Sequence, residues 1–397
     1  MYNHIKSLID SGRNIFITGS AGTGKSYILN QLREDFDMDV TASTGMAAIN
    51  VSGTTIHSFS GIGIGERSAD EVYWRIRSET RDRIRNCKLL AIDEISMLSA
   101  EILDLIDAVF KLIRGNKNPF GGIQLIVIGD FLQLPPVAKD EQLPANFAFE
   151  SNVWTEANFE TVLLEKVYRQ TDKEFLAALG NIRIGKAMDI QGYKTDEHAI
   201  RLFALNRLAD AYNFDKLRAI NKPTRYFEAI DSGEGKAISL IYKNCLAPKD
   251  LYLKIGARVM LLINKEIDLG LINGSTGEVI NITEGGVEVK FDNGVTLSFG
   301  PEICARIIVD KIEVARRIQI PLRLAWAISI HKSQGMTLDK MHVDCEGIFE
   351  CGQAYVALSR VRSKEGLSVV NLRPELIMAN EKAVKFYQQL TQEALKA

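Results

Sequence analysis

Gly19-Ser20-Ala21-Gly22-Thr23-Gly24-Lys25-Ser26 is the stretch whose residue types and spacing most directly imply chemistry. Glycines so spaced let a chain turn backbone N–H groups toward phosphate oxygens. The lysine reaches the β- and γ-phosphates, and the hydroxyl after it can ligate magnesium. The motif predicts a phosphate-binding loop for ATP and Mg2+, with Lys25 as the catalytic cation and Ser26 as a metal ligand. A second apolar run ends in Asp93 and Glu94. By itself an acidic pair there is a cap for the next helix. Beside the phosphate loop, Asp93 is expected to hold magnesium, directly or through water, and Glu94 to position or deprotonate the attacking water. A third run leads into Gly129-Asp130-Phe131-Leu132-Gln133-Leu134-Pro135-Pro136. Gln133 can contact a γ-phosphate there, in a loop stiffened by prolines. Arg169 and Arg360 lie far from the loop in sequence, as expected of arginines supplied from a second domain to stabilise transition-state charge and sense ATP through closure.

Such residues need strand ends to hold them. Residues 14–19, 40–43, 89–93 and 124–130 are short apolar runs, each followed by a turn or a helical pattern. They read as strands buried on both faces, which predicts an α/β fold with a doubly wound parallel sheet. A second set, 161–164, 324–330, 341–344 and 367–371 with a helical stretch over 381–397, predicts a second domain of the same kind. Between them, 251–264, 277–283, 286–291 and 295–299 are strand-like segments joined by Gly, Asn and Asp turns, the pattern of a small antiparallel barrel. The expected division is 1–160 for the first domain, 161–256 with 321–397 for the second, and 257–320 for the barrel insert.

Composition narrows the function classes. With 48 Lys and Arg against 50 Asp and Glu, the net charge of −2 gives no global field for nucleic acid, so any such contact must be local. The one local basic run is Arg75, Arg77, Arg81, Arg83, Arg85 and Lys88, opposed by Glu79 and Asp82. It reads as a solvated helix face or as a nucleic-acid contact. No apolar stretch is long enough to span a bilayer, which argues against a membrane function. The five cysteines form no close pair of the metal-binding kind, so buried thiols are expected. The amino terminus has neither secretory nor transit character, which predicts a protein that stays where it is made: the cytoplasm for a bacterial or phage chain, the nucleus or mitochondrion for the core of a eukaryotic enzyme.

Read together and in order, the blocks GSAGTGKS, TASTGMAAINVSGTTIHSFSGIGIG from Thr41, IDEISML from Ile92, NPFGGIQLIVIGDFLQLPPV from Asn118, VYRQTDKEFLAALGNIRIG from Val167, PLRLAWAISIHKSQGMTLD from Pro321 and YVALSRVR from Tyr355 cover almost the whole chain. This series resembles the Pif-type (petite integration frequency) DNA helicases of superfamily 1. Single blocks have partial counterparts in the RecD and Dda types, whereas the stretch from Ser96 to Val137, with Asn118-Pro119-Phe120-Gly121-Gly122, points to the Pif branch. The resemblance implies two RecA-like domains with ATP between them, a small SH3-like insert in the second, and a short helical wedge near 62–86 in the first. It implies single-stranded DNA as the track, travelled 5′-to-3′, and duplex, forked or G-quadruplex DNA as what is opened, by a monomer or by a dimer on DNA. By matching motif, Thr44, His57, Ser58, Pro135, His331, Lys332 and Ser333 would touch DNA. Gln334, Gly335 and Thr337 would couple the DNA loop to the nucleotide, with Gly335 near the cofactor and Thr337 also reaching DNA.

One departure concerns the base. Helicases of this kind carry a Gln upstream of the phosphate loop that reads adenine, yet none of the eighteen residues before Gly19 is Gln. Either the chain is an amino-terminally shortened form or its base pocket is built differently. Two rival readings keep the ATP site: a nucleotide-controlled DNA clamp with an inert wedge, and a metabolic kinase indifferent to DNA.

Overall fold

The apolar runs before the phosphate loop, before Asp93 and before Asp130 become neighbouring strands, because each is apolar toward both faces. The computed structural model describes residues 1–63, 65–136, 145–186, 199–309 and 312–394. The chain divides into two units, Met1–Val167 with Ile307–Val314 and Lys382–Ala397, and Tyr168–Arg306 with Ala315–Glu381.

In the first unit, β1 (Ile15–Gly19), β2 (Asp39–Ala42), β3 (Thr54–Thr55), β4 (Leu89–Asp93), β5 (Gln124–Gly129) and β6 (Glu160–Leu164) form one sheet in the order β3-β2-β4-β5-β1-β6, every pairing parallel. All five residues of β1 and of β4 are buried, as a sheet covered on both faces requires. β6 corrects the expected boundary. Residues 161–164, expected in the second domain, instead pair with β1 from Ile15↔Glu160 to Gly19↔Leu164, as an edge strand with only Val162 and Leu164 turned inward.

The carboxy-terminal helix, Glu381–Ala394, also departs from expectation, since the chain from Lys382 onward belongs to the first unit. Phe386 explains this. Its ring stacks on Phe149 at 4.3 Å and meets Phe131 edge-on at 5.5 Å, within an aromatic cluster that includes Phe16 and Trp154. Aromatic pairs of this kind add to the burial of their area.

Two helices, Ala69–Arg75 and Ser78–Asn86, occupy the region expected to form a wedge; Ile64 of that region lies outside the described residues. Ser68 and Glu71 close a capping box on the first helix. Two arginines of the basic run are not a free solvated face. Arg83 donates to the Phe59 carbonyl at 2.6 Å and lies over the Phe59 ring, while Arg81 donates to the Tyr73 carbonyl and lies over the Tyr73 ring. The Asn118–Gly122 block is explained by folding. Phe120 and Gly121 take left-handed backbone angles, the Phe120 N–H donates to Asp107, and Arg114 donates to the carbonyls of Gly121, Ile84, Arg85 and Cys87. A Cβ on Gly121 would lie 2.7 Å from the Phe110 carbonyl oxygen, so glycine is required there.

The second unit carries, in chain order, β7 (Ile200–Phe203), β8 (Arg225–Glu228), β9 (Ile230–Gly233), β10 (Asp250–Leu253), β11 (Arg258–Leu261), β12 (Thr276–Ile282), β13 (Val287–Phe291) and β14 (Thr296–Phe299). β15 (Glu302–Val309), β16 (Ile312–Gln319), β17 (Leu322–Leu324), β18 (Ala327–Ser329), β19 (Met341–Asp344) and β20 (Leu367–Val370) follow, although the end of β15 and the start of β16, within Ile307–Val314, count with the first unit. A parallel sheet runs β18-β7-β19-β20. The turn-rich region forms a five-stranded antiparallel sheet, β14-β13-β12-β11-β17, over a core that includes Leu253, Val259, Val279, Val289 and Leu322. Two expectations are refined. The run 324–330 divides, its start joining the antiparallel sheet as β17 and its middle forming β18, so the insert extends past 320. β16 lies instead between β15 and β9.

Replacing Phe386 by Ala removes the ring that anchors the terminal helix. We expect the first unit to lose about 3 kcal/mol, the lower end of the Phe→Ala range because the residue is half-buried; chemical denaturation measures the loss, and an unchanged midpoint would contradict the anchoring role.

Candidate nucleotide and nucleic-acid site

The sheet order makes β4, β5 and β1 neighbours, with Ile92 opposite Val127 and Thr18 opposite Gly129. Their carboxyl ends therefore lie level, and the segments after them share the edge where open α/β sheets bind ligands. After β1 the chain turns through Gly22 and Gly24, both with positive φ, into the helix Lys25–Asp35. A Cβ on Gly19 would lie 2.5 Å from the Leu164 carbonyl oxygen and 2.9 Å from Thr23 Oγ1, so only glycine lets the loop start this close to β6. Thr23 Oγ1 donates to the Ser20 carbonyl at 2.9 Å, and Lys25 Nζ donates to the carbonyls of Gly19 at 2.8 Å and Ser20 at 3.0 Å. The ammonium is thereby docked on the loop. Ser20, Ala21 and Ser26 complete the loop and the first turn of its helix.

Asp93 is buried at the end of β4. Burial, reinforced by the Glu94 charge, pushes its carboxyl up to about 7, against the pull of the Glu94 N–H and the nearby Lys25 ammonium. Glu94 holds a left-handed backbone (φ 52, ψ 46), a strained conformation for a residue with a Cβ and one that clusters at functional sites. The Asp93 carboxylate and the Ser26 hydroxyl suit magnesium, which takes one or two protein oxygens together with substrate phosphates. Asp93 and Ser26 are the residues that would hold it.

Gln133 is buried in the loop after β5 and donates to Asp130 at 3.3 Å; Pro135 is half-buried two residues on, and the following 137–144 lie outside the described residues. A residue that sequence reading missed braces this edge. The Tyr387 hydroxyl lies 2.6 Å from Thr18 Oγ1 and accepts from the Phe131 N–H at 3.2 Å, so the terminal helix ties the strand before the phosphate loop to the loop bearing Gln133. Only the apolar spacing of that helix hinted at a packed face.

Thr44, His57 and Ser58 follow the ends of β2 and β3, at the far side of the same edge. Thr44 caps the helix Gly45–Asn50, and the Ser58 N–H is capped by Thr55. Burial lowers the pKa of His57, which favours its neutral form. Beside them, the Ser43 hydroxyl donates to the Glu94 carbonyl at 2.6 Å and the Ser43 N–H to the Asp93 carbonyl at 3.0 Å. The Thr44 segment is thus bonded directly to the acidic pair.

In the second unit, Arg169 donates to Thr337 Oγ1 at 3.0 Å, to the Ser359 carbonyl at 3.0 Å and to the Gly335 carbonyl at 3.5 Å. Arg360 is buried and donates to the Val356 carbonyl and to Ser359 Oγ, both at 2.8 Å. Burial and then the neighbouring Arg360 charge lower Arg169 to about 9, the response of two guanidinium groups held together, and an anion would relieve it. Gln170, which sequence reading passed over, is buried and donates to the carbonyls of Ser359 and Val361, fixing the turn that carries Arg360. His331 lies 3.7 Å from Glu350, and burial depresses the Lys332 ammonium. Ser333 does not fit the expected DNA contact. It is fully buried and its hydroxyl donates to the Ile330 carbonyl, so it shapes the turn instead.

The family model "PIF1-like helicase" matches residues 1–189, and "DNA helicase Pif1, 2B domain" matches residues 238–282. The "ATP-dependent DNA helicase Pif1" of Bdellovibrio bacteriovorus is 37% identical over 396 residues, covering 96% of this chain and 90% of that relative. The Xenopus laevis "ATP-dependent DNA helicase PIF1" is 41% identical over 96% of this chain, which spans 63% of that longer relative. Among solved structures, Bacteroides sp. Pif1 in complex with ADP-AlF4 superposes with a TM-score of 0.86 at 31% identity, covering 99% of this chain and 96% of that one.

The Asp93 environment makes a prediction about pH. The folded state binds this proton more tightly than the unfolded state, so the native protein loses stability as pH rises from the ordinary carboxylate range toward about 7. In metal-free buffer at pH 8, Asp93→Asn is expected to raise the melting temperature by several degrees, with the gain shrinking below pH 7 and vanishing near pH 4. A gain independent of pH would contradict the buried-carboxylate reading.

Proposed function

Because the chain belongs to the PIF1-like helicase family, we propose that it is an ATP-dependent DNA helicase that moves 5′-to-3′ along single-stranded DNA and opens duplex or structured DNA, forks and G-quadruplexes included. One observation carries the reading. In each unit a nucleotide-side group is hydrogen-bonded to the segment assigned to DNA: Ser43, beside Thr44, to the Asp93-Glu94 pair, and Arg169 to Thr337 and Gly335. The Ser43 N–H bond also continues the β2–β4 ladder, so the reading rests on the segments it joins rather than on the bond itself.

In this mechanism Lys25 and the loop N–H groups bind the phosphates, and Glu94 orients the attacking water and accepts its proton. Gln133 senses the γ-phosphate, and Arg169 and Arg360 stabilise the charge that develops on it. Asp93 and Ser26 would hold magnesium, which when bound would neutralise charge on the phosphate oxygens. Thr44, His57, Ser58, Pro135, His331, Lys332 and Thr337 contact the strand without reading sequence. The five-stranded antiparallel sheet is read as the SH3-like insert and the helices within 62–86 as the wedge. The same reading gives a monomer, with a dimer on DNA as its alternative assembly.

Hydrolysis measured with and without single-stranded DNA, beside unwinding of duplexes with a 5′ or a 3′ tail, tests this. We expect stimulation with unwinding from the 5′ tail only; stimulation without unwinding would point to a clamp, and no stimulation would remove the DNA role. Lys25→Ala should cut turnover at least about 100-fold. Arg360→Ala should cut it about 1,000-fold while ATP affinity stays nearly unchanged, and a pure loss of affinity would contradict its transition-state role.

A further inference from the structure

Beside the His331–Ser333 turn, the second unit holds a cavity of about 170 Å³ whose walls include Phe214, Leu217, Pro248, Tyr252, Arg323 and Leu324. Arg323 is only 9% exposed, and although its backbone pairs with Met260, its guanidinium makes no hydrogen bond among the described residues. Its ion pair is long, 3.8 Å to Asp210, a side chain that is itself 58% exposed. Lys332 reaches the other oxygen of the same carboxylate at 3.9 Å. One solvated carboxylate therefore answers two partly desolvated cations, and a guanidinium without hydrogen bonds faces an open space. The Arg323 nitrogens keep contact with water, so their donors stay available to an anion that enters the cavity.

Asp210, Asn213 and Asp250, the last bonded by the Tyr226 hydroxyl, are the other polar members of the wall, and the remainder is apolar and aromatic. Phe214 is 49% exposed and Tyr252 46% exposed, both large rings left facing water. Arg218 lies 4.4 Å over the Phe214 ring, and the Tyr226 ring lies 5.1 Å from that of Tyr252. A flat ring system with an attached anion matches this combination: the ring stacks on an aromatic platform while the anion takes the unused donors. The volume suits one base; it would hold on the order of ten waters.

We propose that this cavity is a subsite for a single nucleotide of the bound strand, with the base against Phe214 and Tyr252 and its phosphate on Arg323 and Lys332. The site rests on the DNA-binding reading above and adds a discrete base-holding step to a track otherwise made of backbone contacts. Every base offers a stacking face, so it accepts any of the four but not a missing one.

The full chain is titrated with fluorescein-labelled oligothymidylates that carry one abasic residue, moved along the strand position by position. One position is expected to weaken binding by roughly 10-fold, within the range for loss of one stacked base. Phe214→Ala should lower wild-type affinity for the intact strand and erase the penalty at that position alone. Arg323→Gln should flatten the dependence of log affinity on log salt by about 0.7, one phosphate contact on a single strand. Should Arg323→Gln fail to fold, the half-exposed Phe214 and Tyr252→Ala variants still decide the matter. An abasic penalty that survives both ring substitutions overturns the subsite while leaving DNA binding intact; absence of any strand binding by the wild type overturns the helicase reading itself. If an acidic, aromatic peptide binds the wild type and loses affinity in the same variants while DNA binding is unchanged, the cavity serves a protein partner and the proposal fails.

Discussion

Asp93 is a carboxylate taken out of water next to a second carboxylate, and such an arrangement is stable only where positive charge can be brought to it. The surrounding structure meets that demand. Lys25 is docked on the phosphate-loop carbonyls close enough to act on Asp93. The strands that deliver the lysine, the acidic pair and Gln133 are adjacent and end level, because their apolar faces bury on both sides of one parallel sheet. Tyr387 then joins two of those strand ends from a helix contributed by the far end of the chain.

The same strand ends connect the nucleotide to the strand-binding segments. Ser43 holds the backbone of the acidic pair from the segment that continues into Thr44, so a shift at Glu94 is felt one residue from the proposed DNA contact. Arg169 does the equivalent work in the second unit by bonding Thr337 and Gly335. Under the proposed function, two short hydrogen-bonded links of this kind would give a physical route by which phosphate state biases DNA affinity, and thermodynamic reciprocity would require the reverse effect as well.

What could be read from the sequence was what is local. Gly19 to Ser26, Asp93 and Gln133 stand at strand ends because the motif and the strand that carries it are contiguous, and the apolar runs forming β1 and β4, and β5 after Gln124, are buried throughout. What escaped depended on distant partners. β6 shows only Val162 and Leu164 inward, too weak a pattern to say which sheet it edges. Phe386 and Tyr387 sit in an ordinary amphipathic helix whose docking place is fixed by Phe149, Phe131 and Thr18, more than 200 residues earlier. A hydroxyl in a motif does not reveal its direction: Ser333 matched the pattern and turned inward. Arg81 and Arg83 counted as charges but act as braces on backbone carbonyls.

Coupling between phosphate state and DNA grip is the centre of this account, and the affinity of a labelled single-stranded oligonucleotide in three states measures it most directly: without nucleotide, with a non-hydrolysable ATP analogue, and with ADP. The account predicts affinities that differ between states by about tenfold or more, the size of an ordinary coupling energy. One affinity shared by all three states would show that ATP and DNA bind independently, and would contradict it.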